Sequence, residues 1–361
     1  MGWHRLMSWR SPAITHGKLG GSMKQVALIG LGMVAATHVQ AIQASGAVTL
    51  RGVLSRDADR ARAFLEQQDV AARVYGDLAA LAGDPALDFV IVATPPDARL
   101  EIVQALVATG KPILLEKPIE RTAEAAAQIV GLCRDMPLGI VFQHRKRPAA
   151  MQLMDLVDRG ALGALAAIEI AVPWWRPQSY YDVPGRGTYA RDGGGVLLTQ
   201  AIHTMELALR LTGPVARVQA MARTTALHTM EAEDFVVAGL EFASGAVGSL
   251  TASTASFPGG AERIALHGAQ GSAILDAASL SLHWQDGRSE IVGQAADTGG
   301  GADPMAFTAD WHRGIIEDFA ACLETGRDPC VTGVEALHVH RLIDAIQVAS
   351  REKRFVEVGD G

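Results

Sequence analysis

Gly30-Leu31-Gly32-Met33-Val34-Ala35 constrains the fold more than any other stretch of the chain. The run reads G-x-G-x-x-A. An apolar strand-like stretch, 25–29, enters it, and a helically spaced stretch, 33–44, leaves it. A first glycine lets the chain turn sharply out of a strand. A second lets a pyrophosphate approach the backbone, and a small last residue lets helix and strand touch. The helix start then offers amides and the positive end of its dipole. Alone the motif is weak, but between a strand and a helix it points to a dinucleotide. Gly30, Gly32, Met33 and Val34 are the expected phosphate contacts.

The same grammar continues downstream. Strands are expected at Val48–Leu54, 88–94, 112–115 and 138–143, and helices at Ala58–Gln67, 98–109 and 122–134. Residues 88–94 read DFVIVAT, a β-branched run suited to a strand buried on both faces. Repeated units of this kind build a parallel, doubly wound α/β sheet. After residue 147 the pattern changes. A helix at 149–159 leads to a strand at 165–174, a glycine turn and a helix at 196–211. Strands at 216–225, Phe235–Phe242, 246–255, 263–267, 271–275 and Ser279–Trp284 then follow without helices between them. That succession implies a mostly antiparallel sheet in an α+β domain. Residues 286–304 read as mostly loop, and helices at 310–325 and 333–351 close the chain.

The domain reading is therefore a dinucleotide-binding unit at 23–147 and a substrate-binding and oligomerisation unit at 148–361. Residues 1–22 carry Trp3, Trp9, His4 and His16 but no apolar core, and read as an extension rather than a secretory signal. With 49% hydrophobic and 20% charged residues in 361, the chain can bury two cores. Its net charge of −7 argues against nucleic acid as a partner. No run reaches the roughly 18 apolar residues of a membrane span. Cys133, Cys322 and Cys330 are too scattered for a disulfide framework or a cysteine zinc site, so a cytoplasmic setting is expected. His338 and His340 lie two apart on an expected helix and face different ways, so no metal site is expected.

The second strand ends Leu54-Ser55-Arg56, where an acid would grip the ribose diol of NAD. A hydroxyl followed by Arg suits a 2′-phosphate. The cofactor is read as NAD or NADP, leaning to NADP; the alternatives are that Arg56 stacks on adenine or faces solvent. Glu116-Lys117-Pro118 ends another strand at the sheet edge where ligands gather. Walled by apolar residues, Lys117 would have a lowered pKa and a proton to share. Read in isolation it is equally an exposed loop lysine.

Gly30–Ala35, Ala93-Thr94-Pro95-Pro96-Asp97, Gly110-Lys111 through Glu116-Lys117-Pro118, Asp192-Gly193-Gly194-Gly195 and His203 stand in a characteristic order. Asp318-Phe319, Gly326-Arg327, Pro329 and Val331-Thr332-Gly333 complete it. Over residues 24–358 this resembles the Gfo/Idh/MocA oxidoreductase family. The resemblance implies an N-terminal Rossmann domain, a C-terminal domain with a large open-faced sheet, and a homodimer or homotetramer through that sheet. It implies hydride transfer between NAD(P) and a carbinol or carbonyl of a sugar, polyol or sugar-acid derivative. It makes Lys117 and His203 catalytic and adds Thr94, Pro95, Pro96 and Glu116 to the cofactor contacts. Some relatives are redox-cycle glycosidases and a few are cofactor-binding regulators; Glu116-Lys117-Pro118 kept with His203 favours a dehydrogenase.

In the helix at 196–211, Thr199, His203, Glu206 and Arg210 share one face, and Leu197, Leu198, Met205 and Leu209 the core side. Three departures from the family stand out. Thr199 replaces an Asp or Asn, with Gln200 beside it to take part of the polar role. Glu206 replaces Asp, and Arg99 replaces a His, as a cation near the nicotinamide or as a surface residue. Two of six Trp and two of four Tyr fall within Trp174–Tyr181. They offer a sugar-stacking platform, or else cover the cleft or a subunit contact. The expected substrate contacts are Arg145, Trp175, Arg176, Tyr181, Thr199, Gln200 and His203, and Arg145, Arg147 and Arg176 point to an anionic sugar.

Overall fold

Alternate residues of a strand face opposite ways, and a sheet covered by helices on both sides must therefore be apolar throughout. The first six strands show this. The computed structural model describes residues 23–277, 279–293 and 308–359; the expected extension at 1–22 and the last part of the expected loop lie outside them. From the N-terminus run β1 (Lys24–Ile29), α1 (Ala35–Gln43), β2 (Val48–Leu54), α2 (Ala58–Gln67), β3 (Arg73–Val74) and α3 (Leu78–Ala82). Then come β4 (Phe89–Val92), α4 (Arg99–Ala108), β5 (Ile113–Glu116), α5 (Ala123–Leu132) and β6 (Leu138–Val141). The strands pair in parallel in the order β3-β2-β1-β4-β5-β6. The order reverses between β1 and β4, the place in such a sheet where ligands bind.

Val26 and Leu28 of β1 pack on one face with Ala35, Val39 and Ile42 of α1; Ala27 and Ile29 pack on the other with Val103 and Leu106 of α4. The first face is completed from far along the chain. In α9 (Ala309–Thr325, numbered below in chain order), Ile315, Ile316 and Phe319 join it, and the Phe319 ring meets Phe89 edge-on with centroids 5.2 Å apart. The first closing helix of the span 148–361 thus packs into the core of the first sheet.

The second part holds α6 (Pro148–Asp158), β7 (Leu165–Pro173), α7 (Gln178–Tyr181), a π turn (Leu197–Ala201), α8 (Ile202–Thr212), β8 (Val215–Arg223), β9 (Phe235–Phe242) and β10 (Val247–Ser253). It continues with β11 (Arg263–Gly268), β12 (Gly271–Asp276), β13 (Ser279–Trp284), β14 (Ser289–Val292), α9, α10 (Gly333–Glu352) and β15 (Val356–Glu357). Nine strands pair in the order β14-β13-β12-β11-β7-β10-β9-β8-β15. All pairs are antiparallel except β7 with β10. The expected loop at 286–304 is corrected in its first part, where Ser289–Val292 pairs with β13. This four-residue edge strand is half polar and carries no periodic signal. The two-residue β3 and β15 escape sequence reading for the same reason. No helix among the described residues is long and apolar enough to cross a membrane.

Candidate active site

The glycine turn is shaped by its neighbours. Gly30 has φ +95°, and a Cβ there would sit 2.8 Å from the backbone of Ala93 and Thr94 at the end of β4. A Cβ on Gly32 would meet nothing within 4 Å, so this residue opens onto the cavity. No side chain caps α1 and no acid sits in its first turn, so its positive end is available to phosphates. These features fit a dinucleotide pyrophosphate. Gly30 N donates to Leu54 O at 3.0 Å, which brings Ser55 and Arg56 beside the turn. Arg56 is exposed. Asp57 spends its carboxylate on α2, accepting from the Asp59 and Arg60 amides at 3.0 Å each.

The loop after β5 is held from three sides. Arg99 is 2% exposed, which overturns its reading as a surface residue. Its guanidinium donates to Thr94 O at 2.8 Å and to the carbonyls of Glu116 and Pro118, tying the ends of β4 and β5 together around Lys117. His340 Nε2 accepts from Ile119 N at 3.1 Å. Burial, with Arg99 adding to it, pushes His340 down to about 3, so it is an unprotonated acceptor. Glu116 bonds His38 Nε2 at 2.8 Å and its neighbour's amide, Lys117 N, at 3.1 Å. Burial opposes its charge, but His38 holds the carboxyl below the usual range.

Lys117 Nζ donates to Thr199 O at 3.0 Å. Burial pushes its ammonium down to about 8; Glu116 opposes this, and Arg99 and Arg176 reinforce it. The acceptor carbonyl belongs to the π turn, a form that recurs at functional sites. This turn begins on three glycines. Gly193 has φ +80°, and a Cβ on Gly195 would lie 1.7 Å from Glu233 O. Glu233, unremarked in the sequence, caps the helix start: its carboxylate accepts from the amides of Gly195 and Leu197 at 3.2 Å each.

His203 stacks on His144 with centroids 4.7 Å apart and meets Phe142 edge-on at 5.8 Å. Burial, then Lys117 and His144, hold it well below its ordinary pKa, so the ring is neutral. Thr199 hydroxyl donates to Gly195 O at 2.6 Å and bonds the Gln200 side chain. The other two residues of the expected polar face are spent elsewhere: Glu206 pairs with Arg145, and Arg210 with Asp158.

A cavity of about 410 Å³ joins these parts. Gly32, Met33, Val34, Thr94, Pro95 and Pro96 line its nucleotide side. Glu116, Lys117, Arg176, Thr199, Gln200 and His203 line the rest. Three expected substrate residues do not line it. Arg145 is buried, bonded to Glu206 and to Cys330 O. Trp175 packs on His228 and Phe257, and Tyr181 OH bonds Thr254 at 2.6 Å. In their place Trp174 and Tyr180 face the cavity, each one residue earlier: neighbours point to opposite sides where β7 ends, and about 100° apart in the turn of α7. His144, Arg186 and Trp311 also line it and carry no local motif. His38, Glu116 and His312 bring ligand atoms within 4.8 Å of one another, from three separate elements. Two imidazoles and a carboxylate have metal-ligand chemistry, yet a metal there would break the His38–Glu116 hydrogen bond.

Residues 24–143 match the family described as an oxidoreductase family with an NAD-binding Rossmann fold, and 150–274 match the GFO/IDH/MocA C-terminal domain. A D-apiose dehydrogenase of Paraburkholderia graminis is 26% identical over 345 residues, 92% of this chain and 89% of that protein. An inositol 2-dehydrogenase of Rhizobium meliloti is 24% identical over 92% of this chain and 98% of its own. Among solved structures, levoglucosan dehydrogenase in complex with NADH and levoglucosan superposes with a TM-score of 0.80 at 21% identity, covering 93% of this chain and all of that one.

Proposed function

Because the chain belongs to the Gfo/Idh/MocA oxidoreductase family and is an NAD-binding enzyme of the sugar or polyol dehydrogenase type, we propose that Lys117 and His203 handle the proton while hydride moves between nicotinamide and a substrate carbinol. The observation that carries this is Lys117: it reaches across the cavity to Thr199 O, one helical turn before His203, beside the glycine turn. When bound, the nicotinamide accepts hydride in oxidation and supplies it in reduction. Lys117 hydrogen-bonds the reacting substrate oxygen and stabilises its developing negative charge. His203, kept neutral, takes the hydroxyl proton on a ring nitrogen or passes it through Lys117. Thr199 brings no negative charge to orient the imidazole. The stack on His144 and the edge of Phe142 orient it instead.

Ser55 and Arg56 beside the glycine turn, with Asp57 engaged at the α2 cap, support NADP over NAD. Protein stripped of nucleotide and titrated by fluorescence is expected to bind NADPH about tenfold tighter than NADH. NADH preference overturns the reading of Arg56. Binding of neither by folded protein overturns the enzyme reading, and release of 4-nitrophenol from an aryl glycoside would replace it with a hydrolase.

The outward face of the second sheet supports a homodimer or homotetramer. Met221, Val237, Thr251 and Ala171 form one cross-strand row, and Val237 and Val247 are 39% and 56% exposed. A sheet face with exposed valines, bordered by the Arg217–Glu241 and Arg263–Glu169 pairs, fits a second copy of the chain. Sedimentation is expected to show an oligomer that Val237→Glu dissociates. A monomer in the unmodified protein refutes this.

A further inference from the structure

With Thr199 four residues before it, His203 lacks an acidic neighbour on its own helix turn, and its Nδ1 bonds nothing among the described residues. The ring leans on His144, its plane 26° from that of its neighbour. His144 belongs to the turn after β6 (Gln143–Lys146) and is 4% exposed. What holds His144 therefore decides where His203 points. Arg147 donates to His144 Nε2 at 2.7 Å. A guanidinium has no lone pair to offer, so Nε2 accepts, and the one ring hydrogen of a neutral His144 sits on Nδ1. Burial, reinforced by Arg147, keeps that ring neutral. Arg147 also donates to Glu262, just before β11, and its guanidinium carbon lies 4.7 Å from the centre of the Trp311 ring. The other Glu262 oxygen accepts from Trp174 Nε1 at 3.2 Å.

His144, Arg147 and Glu262 line the active cavity and also a second space of about 10 Å³, which Thr204 shares. That is room for one water. His144 Nδ1, Arg147 Nε and Thr204 Oγ1 are buried and make no hydrogen bond among the described residues. Two are N–H donors and the third is a hydroxyl, so one water can accept twice and donate to Thr204. We propose that Glu262, Arg147 and His144, closed by one internal water at Thr204, form a bracket that positions His203 where a carboxylate is missing. The bracket differs from a carboxylate in sign. A carboxylate draws a proton onto an imidazole, whereas a nearby cation repels it. Lys117 from the end of β5, His144 and Arg147 from the turn after β6 and His312 from α9 all face His203, and each disfavours a proton there. The bracket thus presents a neutral base, an assignment that rests on the dehydrogenase reading.

The test reads imidazole nitrogens by 15N NMR in the full-length protein, labelled at histidine, over roughly pH 5 to 9. His144→Phe and His203→Asn identify the signals. His144 is expected to keep its hydrogen on Nδ1 throughout, with a cross-peak from that hydrogen to a long-lived water. Thr204→Val should abolish the cross-peak and Thr204→Ser restore it. Arg147→Met combined with Glu262→Gln removes the cation without leaving a bare buried acid, and the glutamine still accepts from Trp174. In that double variant His144 should populate both tautomers, and the protonation midpoint of His203 should rise by about one pH unit. A hydrogen on His144 Nε2 in the unmodified protein, or no water cross-peak there, overturns the bracket. So does a double variant that binds NADH or NADPH normally and leaves both rings unchanged. Failure of the unmodified protein to bind either nucleotide would sink the dehydrogenase reading instead, so the two failures are told apart.

Discussion

Lys117→Met lowers kcat by about a thousandfold and leaves the reduced-cofactor Kd within about threefold. Methionine keeps the length and apolar stem of lysine, so the wall of the cavity is preserved. What goes is the ammonium, its bond to Thr199 O and any hydrogen bond to the reacting oxygen. The pH dependence makes the expectation sharper. Burial, against Glu116 and with Arg99 and Arg176, places the Lys117 proton at about 8. A lysine with a lowered pKa loses its proton earlier as pH rises. In oxidation, where the ammonium holds the developing alkoxide while His203 takes the proton, kcat/KM should fall as pH rises through about 8. In reduction, where the ammonium donates, it should fall through the same pH. Initial rates in both directions, over roughly pH 6 to 10, check this. The methionine variant should lose that limb, and a variant keeping more than about a tenth of the turnover would remove Lys117 from the chemistry.

Gly195→Ala is expected to lower stability by about 3 kcal/mol and to reduce turnover with it. The new methyl would lie 1.7 Å from the carbonyl oxygen of Glu233, which is backbone and has no rotamer to yield. Either the approach to β9 or the start of the π turn must move. The second also pulls the Glu233 carboxylate from the Gly195 and Leu197 amides, and with it Thr199 and His203. Gly194→Ala is the control. Its methyl would meet Gln347 Nε2 at 3.4 Å and Leu198 Cβ at 3.5 Å, near ordinary contact, and should be almost neutral. Urea midpoints and kcat for the two variants make the comparison; equal behaviour would refute it.

Several parts of this site are legible without coordinates, for a physical reason. The turn at Gly30–Ala35 and the Glu116-Lys117-Pro118 strand end depend on residues within one turn of each other, and their periodic flanks say on which edge they emerge. The same holds for Thr199 and His203, one helical repeat apart, which both reach the cavity. Trp175 and Tyr181 show the limit. The aromatic cluster is visible in the chain, but a shift of one residue, past the end of β7 for Trp175 and within α7 for Tyr181, exchanges the side that faces the cavity for the side that packs behind it.

Charge assignment fails for another reason. Arg145 and Arg147 look like ligand-binding cations until Glu206 and Glu262 arrive from 61 and 115 positions away to pair with them. Arg99 looks like a surface residue until four strand-end and loop carbonyls close around it. Taken alone, the sequence determined the layered βα scaffold and the glycine turn, because these follow from local geometry and periodicity, whereas Lys117 and His203 are singled out by the family resemblance. Only the tertiary structure decided which charges are spent on one another and which still face the cavity, because pairing across the fold depends on distances that no local pattern encodes.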